Sequence, residues 1–109
     1  MGNYQPFQPR GADQTTPAAQ VTGAVTASVT QISLPAGFSG AGGHARFCVQ
    51  GADPVSWAYG SRSGLTLGNG VFMLPNSIEV FAVPPGVSQI SVISSGTAST
   101  MRIVVGDGV

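Results

Sequence analysis

Lysine is absent from this chain, and only eight of its 109 residues carry a charge at all. Arg10, Arg46, Arg62 and Arg102 balance Asp13, Asp53, Glu79 and Asp107, so the formal net charge is zero. Free soluble domains usually hold about 25% charged residues and a net charge away from zero, which keeps copies apart. This chain has neither. Four arginines also cannot lay down the basic footprint that nucleic-acid binding requires. Arginine is favoured over lysine at interfaces, because its planar fork hydrogen-bonds bidentately and is weakly hydrated. Arg46, Arg62 and Arg102 therefore read as partners for Glu79, for Asp53 or for a neighbouring chain.

The same scarcity limits chemistry. A single cysteine, Cys48, excludes an internal disulfide framework and any multi-thiolate metal site. A single histidine, His44, with scattered acids, offers neither transition-metal spacing nor a calcium loop. His44 and Cys48 stand four residues apart in a strand-like stretch, which places their Cα atoms about 13 Å apart, too far for a base and its nucleophile. The glycine run Gly40-Ala41-Gly42-Gly43 precedes a strand rather than a helix and lacks the lysine of a phosphate loop. No Gly-x-Ser-x-Gly elbow occurs. The expectation is a protein that is not an enzyme, with no cofactor and no metal.

Long apolar runs are missing as well. The uncharged stretch 80–101 contains Pro84-Pro85-Gly86 and a set of Ser, Gln and Thr residues, so it does not read as a membrane helix. The start of the chain lacks a basic segment followed by an apolar run. Met1-Gly2 is followed by Pro6 where myristoylation wants Ser or Thr. The chain reads as soluble, made in a cytoplasm without a targeting signal.

What is abundant is Val, Ile, Thr, Ser, Gly and Pro, the vocabulary of strands and turns. Residues 1–20 form a Gln/Pro-rich segment with Tyr4 and Phe7 as its large apolar groups. Proline fixes φ and biases its predecessor to extended geometry, so this segment reads either as a disordered tail or as an extended arm that orders across a neighbouring subunit, with Tyr4, Phe7 and Arg10 as partner-binding anchors. Residues 21–109 then read as one domain of short strands. Period-two alternation marks Ala45–Gln50, with Phe47 and Val49 on one face, and Val55–Tyr59, with Trp57 and Tyr59 on one face. Leu65 and Leu67 approach Asn69-Gly70, a pair favoured in two-residue hairpin turns. Ile78, Val80 and Ala82 alternate with Glu79, Phe81 and Val83, and Val87–Ser94 and Thr100–Val105 close the series. The expected fold is all-β: a single β-sandwich or jelly roll of about seven to eight short antiparallel strands. The expected core is Phe47, Val49, Trp57, Ile78, Val80, Ile90, Val92, Met101 and Ile103.

The run Ser77-Ile78-Glu79-Val80-Phe81-Ala82-Val83-Pro84-Pro85-Gly86-Val87, continued by Ser88 to Ser94 and Gly96-Thr97-Ala98, resembles small β-sandwich virion proteins of tailed bacteriophages. The likeness extends over about residues 28–108 and takes in Arg46 to Gly51 and Trp57 to Gly60. Some of these virion proteins are capsid cement or decoration proteins, and the likeness implies a role in capsid or virion assembly without fixing which part of the virion is bound. The leading expectation is a cement or decoration subunit that binds the major capsid protein and neighbouring copies of itself on the capsid exterior, as a homo-oligomer assembled in the host cytoplasm. No membrane partner is expected, from the broken stretch 80–101. Arg46, Trp57, Tyr59 and Arg62 are candidate interface residues. Two other readings stay open: a tail, head-fibre or connector component, and a carbohydrate- or receptor-binding module that uses the glycine-rich loops with Trp57 and Tyr59.

Overall fold

The computed structural model describes residues 7–9, 20–35 and 43–107. Their regular structure is entirely β: β1 (Gln8–Pro9), β2 (Gln20–Val25), β3 (Thr30–Ser33), β4 (Gly43–Gln50), β5 (Val55–Tyr59), β6 (Val71–Met73), β7 (Ile78–Val83), β8 (Gln89–Ser94) and β9 (Ser99–Asp107). Among the described residues no helix is long and apolar enough to cross a membrane. One sheet runs β2-β9-β4-β7, and the two-residue β1 joins it on the same side of β9 as β2. The other sheet runs β3-β8-β5-β6.

The pairing is nested. β2 lies against β9, β3 against β8, β4 against β7 and β5 against β6, all antiparallel. The chain is thus one long hairpin, doubled back on itself. Further pairing of β4 with β9 and of β5 with β8 rolls that hairpin into two facing sheets. This is the connectivity of a jelly roll.

Period-two alternation decides what the sandwich encloses. Ala45, Phe47 and Val49 turn inward from β4 to meet Val105, Ile103 and Met101 of β9, and all six are buried. From the second sheet Val55, Trp57, Ile90 and Val92 close on them. Four aromatic rings gather at one flank: Phe47 lies 4.5 Å from Trp57 and 5.2 Å from Phe81, and Trp57 meets Tyr59 and Phe81 edge-on at 5.0 and 4.9 Å. Tilted and T-shaped rings of this kind add about 0.5–1.5 kcal/mol per pair beyond the area they bury.

Two expectations need correction. Ile78 and Val80 are not core residues. In the β4–β7 ladder Val80 lies opposite Arg46 and Ile78 opposite Cys48, on the outer face, while Phe81 lies opposite buried Ala45 and Val83 opposite Gly43. Ile78 is 61% exposed. The face of β7 that carries Phe81 and Val83 also carries Glu79, at the exposed start of the strand, yet it takes the interior because Phe81 joins the aromatic cluster.

The second correction concerns Leu65 to Gly70, which forms no hairpin. Neither Asn69 nor Gly70 has the positive φ such a turn needs; among the described residues Asn76, at φ 60°, is the non-glycine residue that does. Instead residues 60–70 form a loop held by Asn69, whose Oδ1 accepts from the Thr66 amide and whose Nδ2 donates to the Gly64 carbonyl. Leu65 is buried beneath this loop. Gly70 is required by closeness rather than by φ, since a Cβ there would lie 2.6 Å from Ser56 Oγ and 2.7 Å from the Trp57 carbonyl oxygen.

Candidate functional site

Three surface features stand on this frame. The first is the outer face of the β2-β9-β4-β7 sheet. Cross-strand register sets Thr22, Arg102, Cys48 and Ile78 in one row, and Gln20, Val104, Arg46 and Val80 in the next. His44 follows, between Gly106 and Ala82. Phe7, just ahead of β1, lies over this face with its ring centre 5.5 Å from the Arg46 guanidinium carbon. A cation over a ring at that distance contributes about 0.5–1 kcal/mol at an exposed site. Val104, the cross-strand neighbour of Arg46, points outward yet is only 6% exposed.

The second feature is an apolar flank. Val71, Phe72, Leu74 and Ile78 are 40, 50, 62 and 61% exposed, and all four fall in the short span from β6 to the start of β7. Those two strands are the edges of their respective sheets. The only ionisable group in that span or β7 is Glu79. Single exposed apolar residues need no explanation, but four of them within residues 71–78, on edge strands of both sheets, are dense enough to mark candidate contact positions.

The third feature is an open cleft of about 510 Å³ lined by Trp57, Ala58, Tyr59, Arg62, Asn69, Gly70 and Val71. Tyr59 crosses between the sheets, donating its hydroxyl to the Ala82 carbonyl. Burial pushes its hydroxyl pKa above the ordinary 10.0. The Arg62 backbone is fixed by its amide donating to Ser91 Oγ, which in turn donates to the Gly60 carbonyl. The Arg62 side chain itself is exposed.

The expected site residues therefore separate. Trp57, Tyr59 and Arg62 converge on the cleft, while Arg46 lies on the opposite sheet with Phe7. Trp57 is 1% exposed and offers no ring face for a sugar to stack on; as an interface residue it is corrected to a core residue. Its Nε1 has no hydrogen-bond partner among the described residues, and its ring packs in tilted and T-shaped contact with Phe47, Tyr59 and Phe81. Tyr4 and Arg10 lie outside the described residues, as do residues 40–42 of the glycine run.

The expected ion pairs also change. Glu79 lies opposite Phe47, on the other face of the sheet from Arg46 and Arg102. Asp53 serves the backbone: its Oδ2 accepts from the Ala98 amide, its amide donates to Ser99 Oγ, and that hydroxyl donates back to its carbonyl. It thus staples the β4–β5 turn to the β8–β9 turn. Among the described residues no three of His, Cys, Asp and Glu gather where they could hold a metal ion.

The apolar flank had a signal that alternation alone does not capture. Val71-Phe72-Met73-Leu74 is apolar at every position, so a strand there must show some of those side chains to solvent or to a partner. No protein-family model, curated protein or solved structure matches this chain.

Proposed function

We propose that this chain is a structural virion protein of a bacteriophage, a cement or decoration subunit that binds the major capsid protein shell and stabilises it. The observation that carries this reading is the apolar flank of Val71, Phe72, Leu74 and Ile78 on two sheet edges of a chain with no net charge. Burial of about 25 cal/mol per Å² of such surface across a junction between shell subunits would add cohesion where the shell is weakest. Neutrality lets many copies pack side by side without mutual repulsion. The jelly-roll connectivity supports the same reading, since viral capsid subunits use that architecture, although lectin domains do too.

The test is occupancy. Purified particles should carry this chain at a copy number that follows the shell lattice, and the double variant Phe72→Ser, Leu74→Ser should fold normally but be lost from particles. Normal occupancy by that variant would reject the flank as the shell contact. A copy number matching one unique vertex would favour the connector or tail reading instead.

A glycan- or receptor-binding role rests on one observation, the cleft at Tyr59, Arg62 and Asn69. Binding of soluble glycans by the isolated chain, abolished by Arg62→Ala, would establish it in place of the shell role.

A further inference from the structure

β1 and β2 lie along the same side of β9 and run in the same direction. Gln8 and Pro9 face Asp107 and Gly106, and Gln20 then faces Val104. Only Val105 separates the two stretches on β9. If the chain simply continued from Pro9, its next residues would face Val105 and Val104 as one unbroken edge strand. The register instead jumps by nine residues, so that much chain is inserted between two pieces of what is geometrically a single strand.

The connection is far longer than the gap. Pro9 and Gln20 are two β9 positions apart, about 7 Å along the strand. Residues 10–19 join them, and a chain of that length reaches roughly 36 Å when extended. The whole molecule measures 37 × 31 × 26 Å. The arm can therefore pass from its own sheet to that of an adjoining copy without disturbing β2.

We propose that β1 is an exchangeable strand, which in concentrated or assembled protein leaves its own β9 and pairs with β9 of a second copy, seating Phe7 on that copy's Arg46. The contact given up and the contact made are identical, so exchange costs little beyond the entropy of association. The grip to be released is small: two ladder residues and one ring over one guanidinium. Pro9 suits the role. It cannot donate to a ladder, so it is tolerated on an edge and discourages any further strand from adding outside it. The zero net charge removes the repulsion that would keep copies apart.

This exchange deepens the assembly reading by naming a second copy as the partner of the arm, but its test needs no particle and stands or falls separately. Two variants are made in a Cys48→Ser background, one with Gln8→Cys and the other with Asp107→Cys, and one of them carries a size tag. Neither can form an internal disulfide. Mixed, concentrated and oxidised, they should give the mixed disulfide several-fold above its statistical share, because ladder partners place their Cβ atoms close to disulfide distance. A statistical distribution of mixed and like disulfides would overturn the proposal. Deleting residues 11–19 joins Arg10 to Gln20 and makes the edge strand continuous, so the arm is locked to its own sheet. In that background the mixed disulfide should fall to its statistical share, and persistence at full yield would equally overturn it. Light scattering supplies a reading without cysteine substitutions: self-association of the parent chain should rise with concentration and drop several-fold in the deletion variant, and equal association in both would count against exchange.

Discussion

Tyr59 donates its hydroxyl to the Ala82 carbonyl oxygen, and so a side chain of β5 in one sheet holds the backbone of β7 in the other. It does so between an inner strand of one sheet and an edge strand of the other. Burial raises the pKa of this hydroxyl in the folded chain above its ordinary 10.0. The neutral form is the one the fold favours, so its contribution is complete below pH 10 and is lost as pH rises towards the folded value, where the unfolded chain ionises first. Tyr59→Phe should lower stability at neutral pH by about 0.5–1.5 kcal/mol. It should also flatten the decline in thermal midpoint above pH 10 relative to the parent. A decline of unchanged steepness in the variant would assign the alkaline sensitivity elsewhere.

The orientation of β7 can be tested by truncating its two faces. Phe81→Ala removes a ring from the aromatic cluster and should cost about 2–3 kcal/mol, somewhat below the 3–5 typical of a fully buried phenylalanine. Ile78→Ala, on the outer face, should stay within about 0.5 kcal/mol. Urea unfolding of both variants gives the comparison directly, and the reverse order would mean that β7 is flipped.

β7 also shows where alternation in the sequence is informative and where it is not. In β4, polar Arg46 and Gln50 flank Phe47 and Val49, so one face is unambiguous and the register follows. The same logic located Trp57, Ile90, Val92, Met101 and Ile103 in the core. In β7 the set Ile78/Val80/Ala82 is wholly apolar while Glu79/Phe81/Val83 carries a charge, so alternation alone favours the wrong face, and slipping by one residue exchanges them. Ring packing with Phe47 and Trp57 overrides it, a long-range fact no local pattern contains. Asn69-Gly70 misled for a related reason. Its side chain bonds within its own loop, leaving β5 to find β6 across eleven intervening residues rather than two. On the surface, Arg62 and Tyr59 were readable as exposed polar and amphipathic groups, whereas the meeting of Phe7 with Arg46 depends on a strand addition that two residues of β1 could not announce.

Two glycines separate backbone strain from collision. Gly51 has φ +130°, and a Cβ there would run into the Ala98 carbonyl oxygen and Ser99, at the turn stapled by Asp53. Gly86 has φ +88° in the Pro84–Val87 turn, with open space around it. Gly86→Ala should cost about 1–2 kcal/mol, the ordinary penalty for a left-handed side chain. Gly51→Ala should exceed that clearly, with a lowered denaturant midpoint and an unchanged slope. Equal costs would show that the Asp53 turn has room to move.

The doubled-back hairpin has a temporal consequence. β9 is the central strand against which β1, β2 and β4 all lie, yet it is synthesised after every one of them. While translation proceeds, β2 and β4 wait on the ribosome without the neighbour that completes their sheet, and few of their lasting contacts can form early. The seat for Phe7, which needs β1 paired on β9 beside Arg46, therefore comes into being only after β9 has been made. A nascent chain that lacks β9 has no ladder for β1 to join, so the N-terminal segment stays without its own docking place until synthesis of the domain is almost finished.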